Sequence, residues 1–196
     1  EGEIRQDGPG IRMEGSTTIT NRGQWTITQS ADVFLATDGL LRNEGRITID
    51  GPADAQLGFG ERSVIDNPGT IELRSGRIDQ RASTVTQLAG TTLTGGTWSV
   101  ADGATWLFFP AVDAIGAGAT VAIGGTGRID RDAFQRSPAL ADLGRVDGAL
   151  RLTDGASFST TQPLAVGGSV VLDATSSFTA PAITMAPTAT LQTSIG

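Results

Sequence analysis

The 196-residue sequence contains no cysteine, histidine, tyrosine or lysine. Without cysteine and histidine, the chain cannot use disulfide bonds, zinc fingers, haem ligation, thiolate nucleophiles or Ser-His-Asp chemistry. All 14 positive charges are therefore arginines, and 21 acidic residues give a formal net charge of -7. Because a nucleic-acid backbone requires a basic stripe, we expect no nucleic-acid partner for this acidic chain.

Long apolar runs are also absent. No run approaches the ~20 residues that a membrane-spanning helix needs, so we expect no membrane insertion. Residue 1 is Glu rather than Met, and we expect the chain to be a fragment or a processed piece of a longer protein. The length alone suits one large domain or two small ones.

Glycine is abundant, with 27 residues, and the glycines reveal an internal repeat. The chain contains only three asparagines, and each lies two residues before a glycine. Each of these glycines opens a segment of alternating polar and apolar residues, and the pattern recurs every 20–30 residues without asparagine. A shifted copy is expected after Gly118, with Val121 and Ile123 as its apolar pair. The repeated positions are Asn21, Asn43, Asn67, Gly23, Gly45, Gly69, Gly96, Gly148 and Gly168.

Strict alternation predicts half-buried β-strands. The apolar residues that follow each repeated glycine share one parity, which predicts that they point into a common core. Two further strand-like pieces recur in each repeat, one before the Asn-x-Gly corner and one about ten residues after it. The predicted core positions are Trp25, Ile27, Ile47, Ile49, Ile71, Leu73, Trp98, Val100, Leu150, Leu152, Val170 and Leu172.

Together these features favour an all-β parallel β-helix (β-solenoid). Each coil of 20–30 residues has about three short strands, and seven to eight coils stack with their strands ~4.8 Å apart. We expect the asparagines to form a corner ladder, in which each amide bonds the next asparagine or the turn backbone. We also expect residues 1–196 to form one solenoid domain with an irregular excursion at about residues 110–146. A β-sandwich is the structural rival, but it does not require a glycine-led strand in every repeat.

Residues 43–49 (NEGRITI) and 67–73 (NPGTIEL) resemble the N-x-G-x-I-x-V rungs of bacterial extracellular proteins with parallel β-helix repeats. Residues 95–104 and 150–158 are similar in style. Autotransporter passengers, filamentous-haemagglutinin-like adhesins and long β-strand-repeat surface proteins share such rungs. The resemblance covers about residues 15–178, and it implies a secreted or cell-surface protein that serves adhesion, biofilm or envelope structure.

Paired carboxylates are the candidates for catalysis on such a scaffold. Asp130, Asp132 and Arg136 lie in the most charged part of the excursion, and Asp113 lies nearby in the sequence. The alternative function is therefore a polysaccharide-binding or polysaccharide-cleaving β-helix enzyme. Uronate-cleaving β-helix enzymes usually employ a basic residue for proton abstraction, and the only basic residue type in this chain is arginine, which stays protonated. We therefore predict no enzymatic activity and no catalytic residue.

Two acidic turns, residues 50–54 and 130–132, offer oxygen ligands to Ca²⁺. Neither has the spacing of an EF-hand or of the calcium-binding nonapeptide repeat. We therefore expect solvated turn acids, no metal site and no cofactor, with Ca²⁺ as a weak alternative. The glycine-rich stretches 116–118 and 124–127 lack the lysine of a phosphate-binding loop and are expected to be solenoid corners.

Ice binding is the second alternative, because Thr-x-Thr segments recur along the chain. The expected outward central column contains charges and a valine, which interrupt a threonine array. Trp25 and Trp98 have the inward parity of core residues. Trp106 lies in a run that is apolar on both parities, which predicts either an exposed contact patch or burial beneath the excursion. The outward column reads Thr26, Thr48, Glu72, Ser99, Arg151 and Val171.

The sequence therefore predicts a non-catalytic structural or adhesive module, extracellular or at the cell surface. Neither end of the sequence shows an obvious cap, and an uncovered coil exposes backbone donors and acceptors that favour edge-to-edge pairing. The expected partners are neighbouring repeats of the same polypeptide or further copies in a filament. Surface glycans are an additional candidate.

Overall fold

The computed structural model describes residues 3–6, 10, 12–13, 15–28, 32–35, 38–52, 55–80, 83–107, 111–131 and 137–194. These residues form a parallel β-solenoid of about seven turns, in which stacked strands lie about 23 residues apart in the sequence. No helix occurs in these ranges. The predicted all-β parallel β-helix is therefore confirmed, and the parallel pairing excludes the β-sandwich.

The longest face, called the main column, contains the glycine-led strands. These strands pair in parallel along the whole described solenoid, each with the strand of the next turn. In chain order they are Glu3–Gln6, Gln24–Ile27, Arg46–Ile49, Thr70–Leu73, Thr92–Val100, Ala114–Gly124, Ala149–Thr153, Ser169–Asp173 and Thr190–Ser194.

Two shorter faces complete each turn. The second column follows the main-column strand, and the third column precedes it in the N-terminal turns. The second column contains Arg12–Met13, Asp32–Leu35, Gln56–Phe59, Arg77–Asp79, Thr105–Leu107 and Arg128–Asp130, and then Ser157–Ser159 and Ser177–Thr179. The third column contains Thr18–Asn21, Leu40–Asn43, Val64–Asp66 and Thr84–Val85.

The path of the chain changes after Thr84–Val85, where the third column ends. Leu88–Ala89 forms an antiparallel hairpin with the first residues of strand Thr92–Val100. Gly90 takes the positive φ of 63° that this tight turn requires, a conformation that side chains disfavour. Beyond the hairpin a fourth column replaces the third. It continues from the start of Ala114–Gly124 through Arg145–Val146, Leu164–Val166 and Ile183–Met185.

The core is the stack of inward side chains along the main column. Ile27, Ile49 and Leu73 are direct partners in the parallel register, and all three are fully buried. Every predicted core residue, from Trp25 to Leu172, is 7% exposed or less. Burial of such a side chain contributes about 1.5–3 kcal/mol. Because a single coil encloses no core of its own, this stabilisation arises from stacking of neighbouring coils.

The shifted copy of the repeat lies in strand Ala114–Gly124. Val121 and Ile123 stack on Trp98 and Val100, as the sequence predicts. The glycine position of this rung is occupied by Ala119, which pairs with Gly96. Gly118 instead lies over Gly95, next to a register irregularity of the two strands.

Part of the segment predicted as an excursion is regular. Within residues 110–146, Ala114–Gly124 is a main-column strand and Arg128–Asp130 is a second-column strand. The irregular part begins at Arg131, and residues 132–136 lie outside the described ranges. The excursion is therefore shorter than the sequence predicts.

The segment after Arg131 interrupts the second column. Its described part begins at Ser137 and lies beside strand Arg128–Asp130, where Pro138 forms an isolated antiparallel bridge with Asp130. Ala139 N donates to Ile129 O at 2.8 Å, which covers the edge of that strand. In the described part of the chain, Ser157–Ser159 therefore has no strand partner below it and pairs only with Ser177–Thr179 above.

Candidate functional site

The three asparagines form a hydrogen-bonded ladder at the corner between the third and main columns. Asn21 Nδ2 donates to Asn43 Oδ1, and Asn43 Nδ2 donates to Asn67 Oδ1, both at 2.7 Å. Each amide also donates to the backbone of the next strand, with Asn43 Nδ2 lying 2.9 Å from Thr70 O. The three side chains are 5% exposed or less. The ladder therefore satisfies buried polar groups by linking successive coils.

The ladder glycines are required by close stacking of the corner backbones. A Cβ on Gly45 would overlap the carbonyl oxygen of Gly23, and one on Gly69 would overlap that of Gly45. The obstacle in both cases is backbone, which cannot move aside without breaking the ladder. A Cβ would likewise overlap a carbonyl oxygen of the rung below at Gly96, Gly148 and Gly168.

Gln87 terminates the asparagine ladder. Its Oε1 accepts from Asn67 N at 2.7 Å, and its Nε2 donates to Asp66 Oδ1 at 2.7 Å. The chain turns into the hairpin at this point, so the glutamine side chain replaces the missing backbone partner of Asn67. Thr94, which follows the hairpin, bonds Gln87 O through its backbone N at 2.7 Å.

The N-terminal turns carry a charged band of alternating arginines and acids. Glu44 accepts from Arg42 at 2.6 Å and from Arg22 at 3.0 Å, and Arg46 pairs with Glu72 at 2.7 Å. Most of these pairs join successive coils and lie at the surface, where an individual ion pair contributes little. The band consists of Arg22, Arg42, Glu44, Asp66, Arg46, Glu72, Arg74 and Asp50.

The arginine partners lower the pKa of several carboxylates in these turns. Hydrogen bonds from Arg42 and Arg22 lower the pKa of Glu44. Partial burial acts to raise the pKa of Glu72, but hydrogen bonds from its arginine partners outweigh it, and the pKa is lowered. Each ionised carboxylate therefore favours the folded chain.

We expect the free energy of unfolding to be flat from about pH 5.5 to 8, where no Asp, Glu or Arg side chain ordinarily titrates. The pKa values of Glu44 and Glu72 are lower in the folded chain than in the unfolded chain. The stabilisation that these ionised carboxylates contribute is therefore complete above the unfolded pKa, and it is lost as pH falls through the folded pKa. Stability should therefore fall below about pH 4.5. Urea unfolding at each pH measures it. The double variant Glu44→Gln, Glu72→Gln should show a shallower fall, and an unchanged profile would contradict this account.

Two acids in the middle and C-terminal turns, Asp102 and Asp173, accept hydrogen bonds from backbone amides at corners. Asp173 accepts from Ser176 N at 2.8 Å and from Thr175 N at 3.0 Å, and the hydrogen bonding with Ser176 is the largest cause that lowers its pKa. Asp102 accepts from Thr126 N at 2.8 Å, inside the glycine-rich stretch 124–127. The Thr126 hydroxyl also donates to Asp102 Oδ1, at 2.7 Å, so this carboxylate fastens the corner of the next coil.

Of the candidate carboxylates, Asp130 and Asp113 belong to the described residues, and they line different surfaces. Asp130 lines a cavity of about 310 Å³ between strands Arg128–Asp130 and Ser157–Ser159, where its carboxylate pairs with Arg128 at 3.0 Å. Asp113 lines a different surface groove of about 600 Å³. Asp132 and Arg136 lie outside the described residues.

The other predicted ligand sites are placed as follows. The described residues contain no group of three or more acids that could hold a metal ion. Asp54 and Asp132 of the two acidic turns lie outside the described ranges. In the outward column, Ala122 lies between Ser99 and Arg151, so threonines are not continuous there.

All three tryptophans are buried. Trp98 and Trp106 pack together with ring centroids 5.1 Å apart, and Trp106 is 1% exposed. Trp106 Nε1 donates to Gln80 Oε1 at 2.8 Å. Trp106 therefore belongs to the core, and residues 108–110 of the same apolar run lie outside the described ranges.

The last coil leaves its inward face open. Ile183 is 44% exposed, Met185 38% and Leu191 51%, whereas Val170, directly below Leu191, is 1% exposed. These three are the large apolar residues that the described structure exposes. They occupy core positions of the fourth and main columns, so their exposure comes from the lack of a covering coil in the described structure.

The backbone of strand Thr190–Ser194 forms the edge of this open end. Thr190 N donates to Gly168 O at 2.9 Å. In a parallel strand the backbone groups of alternate residues face opposite neighbours, so the N–H and C=O groups of Thr190 and Gln192 point toward the coil below. The N–H and C=O groups of Leu191 and Thr193 therefore point toward the open side, where no described strand pairs with them. Leu191 and Thr193, together with Ile183 and Met185, are called the open end.

No protein-family model, no curated protein and no solved structure matches this chain. The described residues also include no helix that is long and apolar enough to cross a membrane.

Sequence reasoning missed Gln87 and the charged band. Gln87 has no repeated counterpart, so the repeat gave no signal for it. The band had a signal, because the arginines and acids of three pairs lie about one coil apart in the sequence: Arg22 and Glu44, Arg42 and Asp66, and Arg46 and Glu72. Spacing by whole coils, rather than by helical or strand periods, would have revealed those pairs.

Proposed function

We propose that this chain is a non-catalytic structural or adhesive module of an extracellular β-solenoid rod, and that its open end is where further β-structure attaches. The N-x-G rungs support the extracellular assignment, because they resemble those of bacterial surface proteins. The polar outward positions support a rod with a solvated surface. The charged band supports a structural role, because its ion pairs join neighbouring coils on the outside of the rod.

The observation that carries the proposal is the exposure of core positions at the open end. Leu191 is 51% exposed, whereas the residues at the same inward position of the preceding turns, from Trp25 to Val170, are buried. A free strand edge with apolar residues beside it is a ready template for pairing with another chain or coil. No perturbed pair of carboxylates competes with this site as a functional candidate in the described residues.

The variant Thr193→Pro tests the edge directly. Proline removes the N–H that points to the open side, and it is tolerated at edge positions whose N–H makes no ladder bond. Because the described structure leaves the open end uncovered, we expect two open ends to pair edge to edge, so that the wild-type chain associates as its concentration rises in sedimentation velocity. The variant should remain monomeric with an unchanged free energy of unfolding.

The matched control is Gln192→Pro, in which the lost N–H points to the coil below. This control should destabilise the last coil. Any loss of association in it should therefore accompany a loss of stability, unlike the loss of association in Thr193→Pro. If wild-type and Thr193→Pro chains sediment identically as monomers at every concentration, the open end is not an attachment site and the proposal fails.

A further inference from the structure

The open end is a step rather than a flat surface. The main column ends with Thr190–Ser194, whereas the second column ends with Ser177–Thr179 and the fourth with Ile183–Met185. Both of the latter strands belong to the preceding turn. Two sides of the solenoid are therefore one strand shorter than the main column, by the ~4.8 Å that separates neighbouring strands.

The N-terminal end has a step of the same sense. Its outermost described strand, Glu3–Gln6, is also a main-column strand, and Arg12–Met13 and Thr18–Asn21 follow it. If a second copy stacked Glu3–Gln6 on Thr190–Ser194, the main columns would pair. The other two sides would then lack one strand each, and Ile183 and Met185 would stay uncovered.

We infer that the open end accepts a further coil that enters over Ser177–Thr179, and not the N-terminal end of a second copy. Such a coil fills the second column first, then covers Ile183–Met185, and only then adds a main-column strand over Thr190–Ser194. This inference rests on the proposed function, because it names the partner of the same open end.

The geometry also defines the chemistry of that coil. Its first strand must begin about four residues after Ser194, as Ser177 follows Asp173. It must place an aromatic or aliphatic residue over Phe178, which already stacks on Phe158 with centroids 5.5 Å apart. Further apolar residues must cover Ile183, Met185 and Leu191, while a polar residue suits the position over Thr193.

The test extends the chain by one coil. A copy of residues 174–194 is placed directly after Ser194, so that each new strand meets its own duplicate in register. A matched control carries the same residues in shuffled order. We expect the in-register extension to slow amide exchange at Leu191 and Thr193 on the order of 100-fold, and the shuffled extension to leave exchange unchanged.

Two results would overturn the inference. Equal protection by the shuffled extension would show that any added chain suffices. Stable oligomers of the unextended chain that protect both residues 3–6 and residues 183–194 would identify the second copy as the occupant. That second result would leave the proposed function intact, because the open end would still be an attachment site. The proposed function is tested by a different experiment, the sedimentation of the wild-type and Thr193→Pro chains.

Discussion

Replacing Gly69 by alanine is expected to destabilise the protein by about 3 kcal/mol or more. The added Cβ would overlap Gly45 O and lie 2.9 Å from Asn43 O. Both atoms are backbone of the coil below, and Gly45 O also accepts the 2.8 Å hydrogen bond from Thr70 N. Relief of the overlap would therefore separate two coils at their most tightly stacked corner. Urea unfolding followed by circular dichroism measures the loss.

The control for this substitution is Gly144→Ala. The nearest atom to a Cβ at Gly144 is Pro163 O at 3.6 Å, which is ordinary van der Waals contact. We expect Gly144→Ala to change stability by less than about 1 kcal/mol. Equal stability of the two variants would mean that the corner backbones do not stack as closely as described.

Asn43→Asp is expected to destabilise the protein at pH 7 by about 3–5 kcal/mol. The substitution replaces the Nδ2 donor by an oxygen, which would face Asn67 Oδ1 and Thr70 O where hydrogen bonds of 2.7 and 2.9 Å now lie. It also buries a charge at a position with 0% exposure. Stability measured by urea unfolding should recover in part as pH falls, because a protonated carboxyl can donate one of the two bonds.

The sign of that pH dependence separates this variant from wild type. Burial would raise the pKa of the introduced carboxyl in the folded chain, so its destabilising effect is greatest at neutral pH and shrinks toward acid. Asn67→Asp is the comparison for the lost hydrogen bonds: it buries a charge at the same 0% exposure, but Asn67 Nδ2 makes one described donation, to Thr97 O at 3.3 Å, so we expect a smaller loss with the same sign of pH dependence. A pH-independent loss in Asn43→Asp would exclude the buried charge as its cause.

The fold was predictable from the sequence because its determinants are local and repeated. The alternation in Thr70–Leu73 places Ile71 and Leu73 on one face whatever surrounds the strand. The spacing of one coil then stacks Leu73 on Ile49. The asparagines were informative for a similar reason, since each one lies at the same offset from a glycine-led strand.

Other features depend on single segments without a repeated counterpart. The hairpin of Leu88–Ala89 moves the chain from one column to another, and no other described coil contains such a turn. The antiparallel bridge of Pro138 with Asp130 interrupts the second column in the same non-repeating way. Periodicity cannot predict a departure from the period.

The separation of Asp113 from Asp130 shows the same limit for the candidate site. Proximity in sequence suggested one catalytic surface, but a solenoid places residues about half a coil apart on different faces. Asp113 precedes a fourth-column segment, whereas Asp130 ends a second-column strand. In this fold, residues one whole coil apart are neighbours, and this rule would have directed the search to pairs such as Arg62 and Asp38, which are 2.7 Å apart.

The equal registers of successive rungs also bear on how such a chain changes length over generations. Between Asn21 and Asn67, each coil makes the same corner contacts with the coil above it as with the coil below it. Duplication or deletion of one whole coil by unequal recombination would therefore preserve these contacts. Loss of a few residues within a unit would instead misalign asparagine and glycine together. Lineages of this protein should therefore differ in length by whole coils, while the hairpin at Leu88–Ala89, which occurs once in the described chain, stays fixed in number.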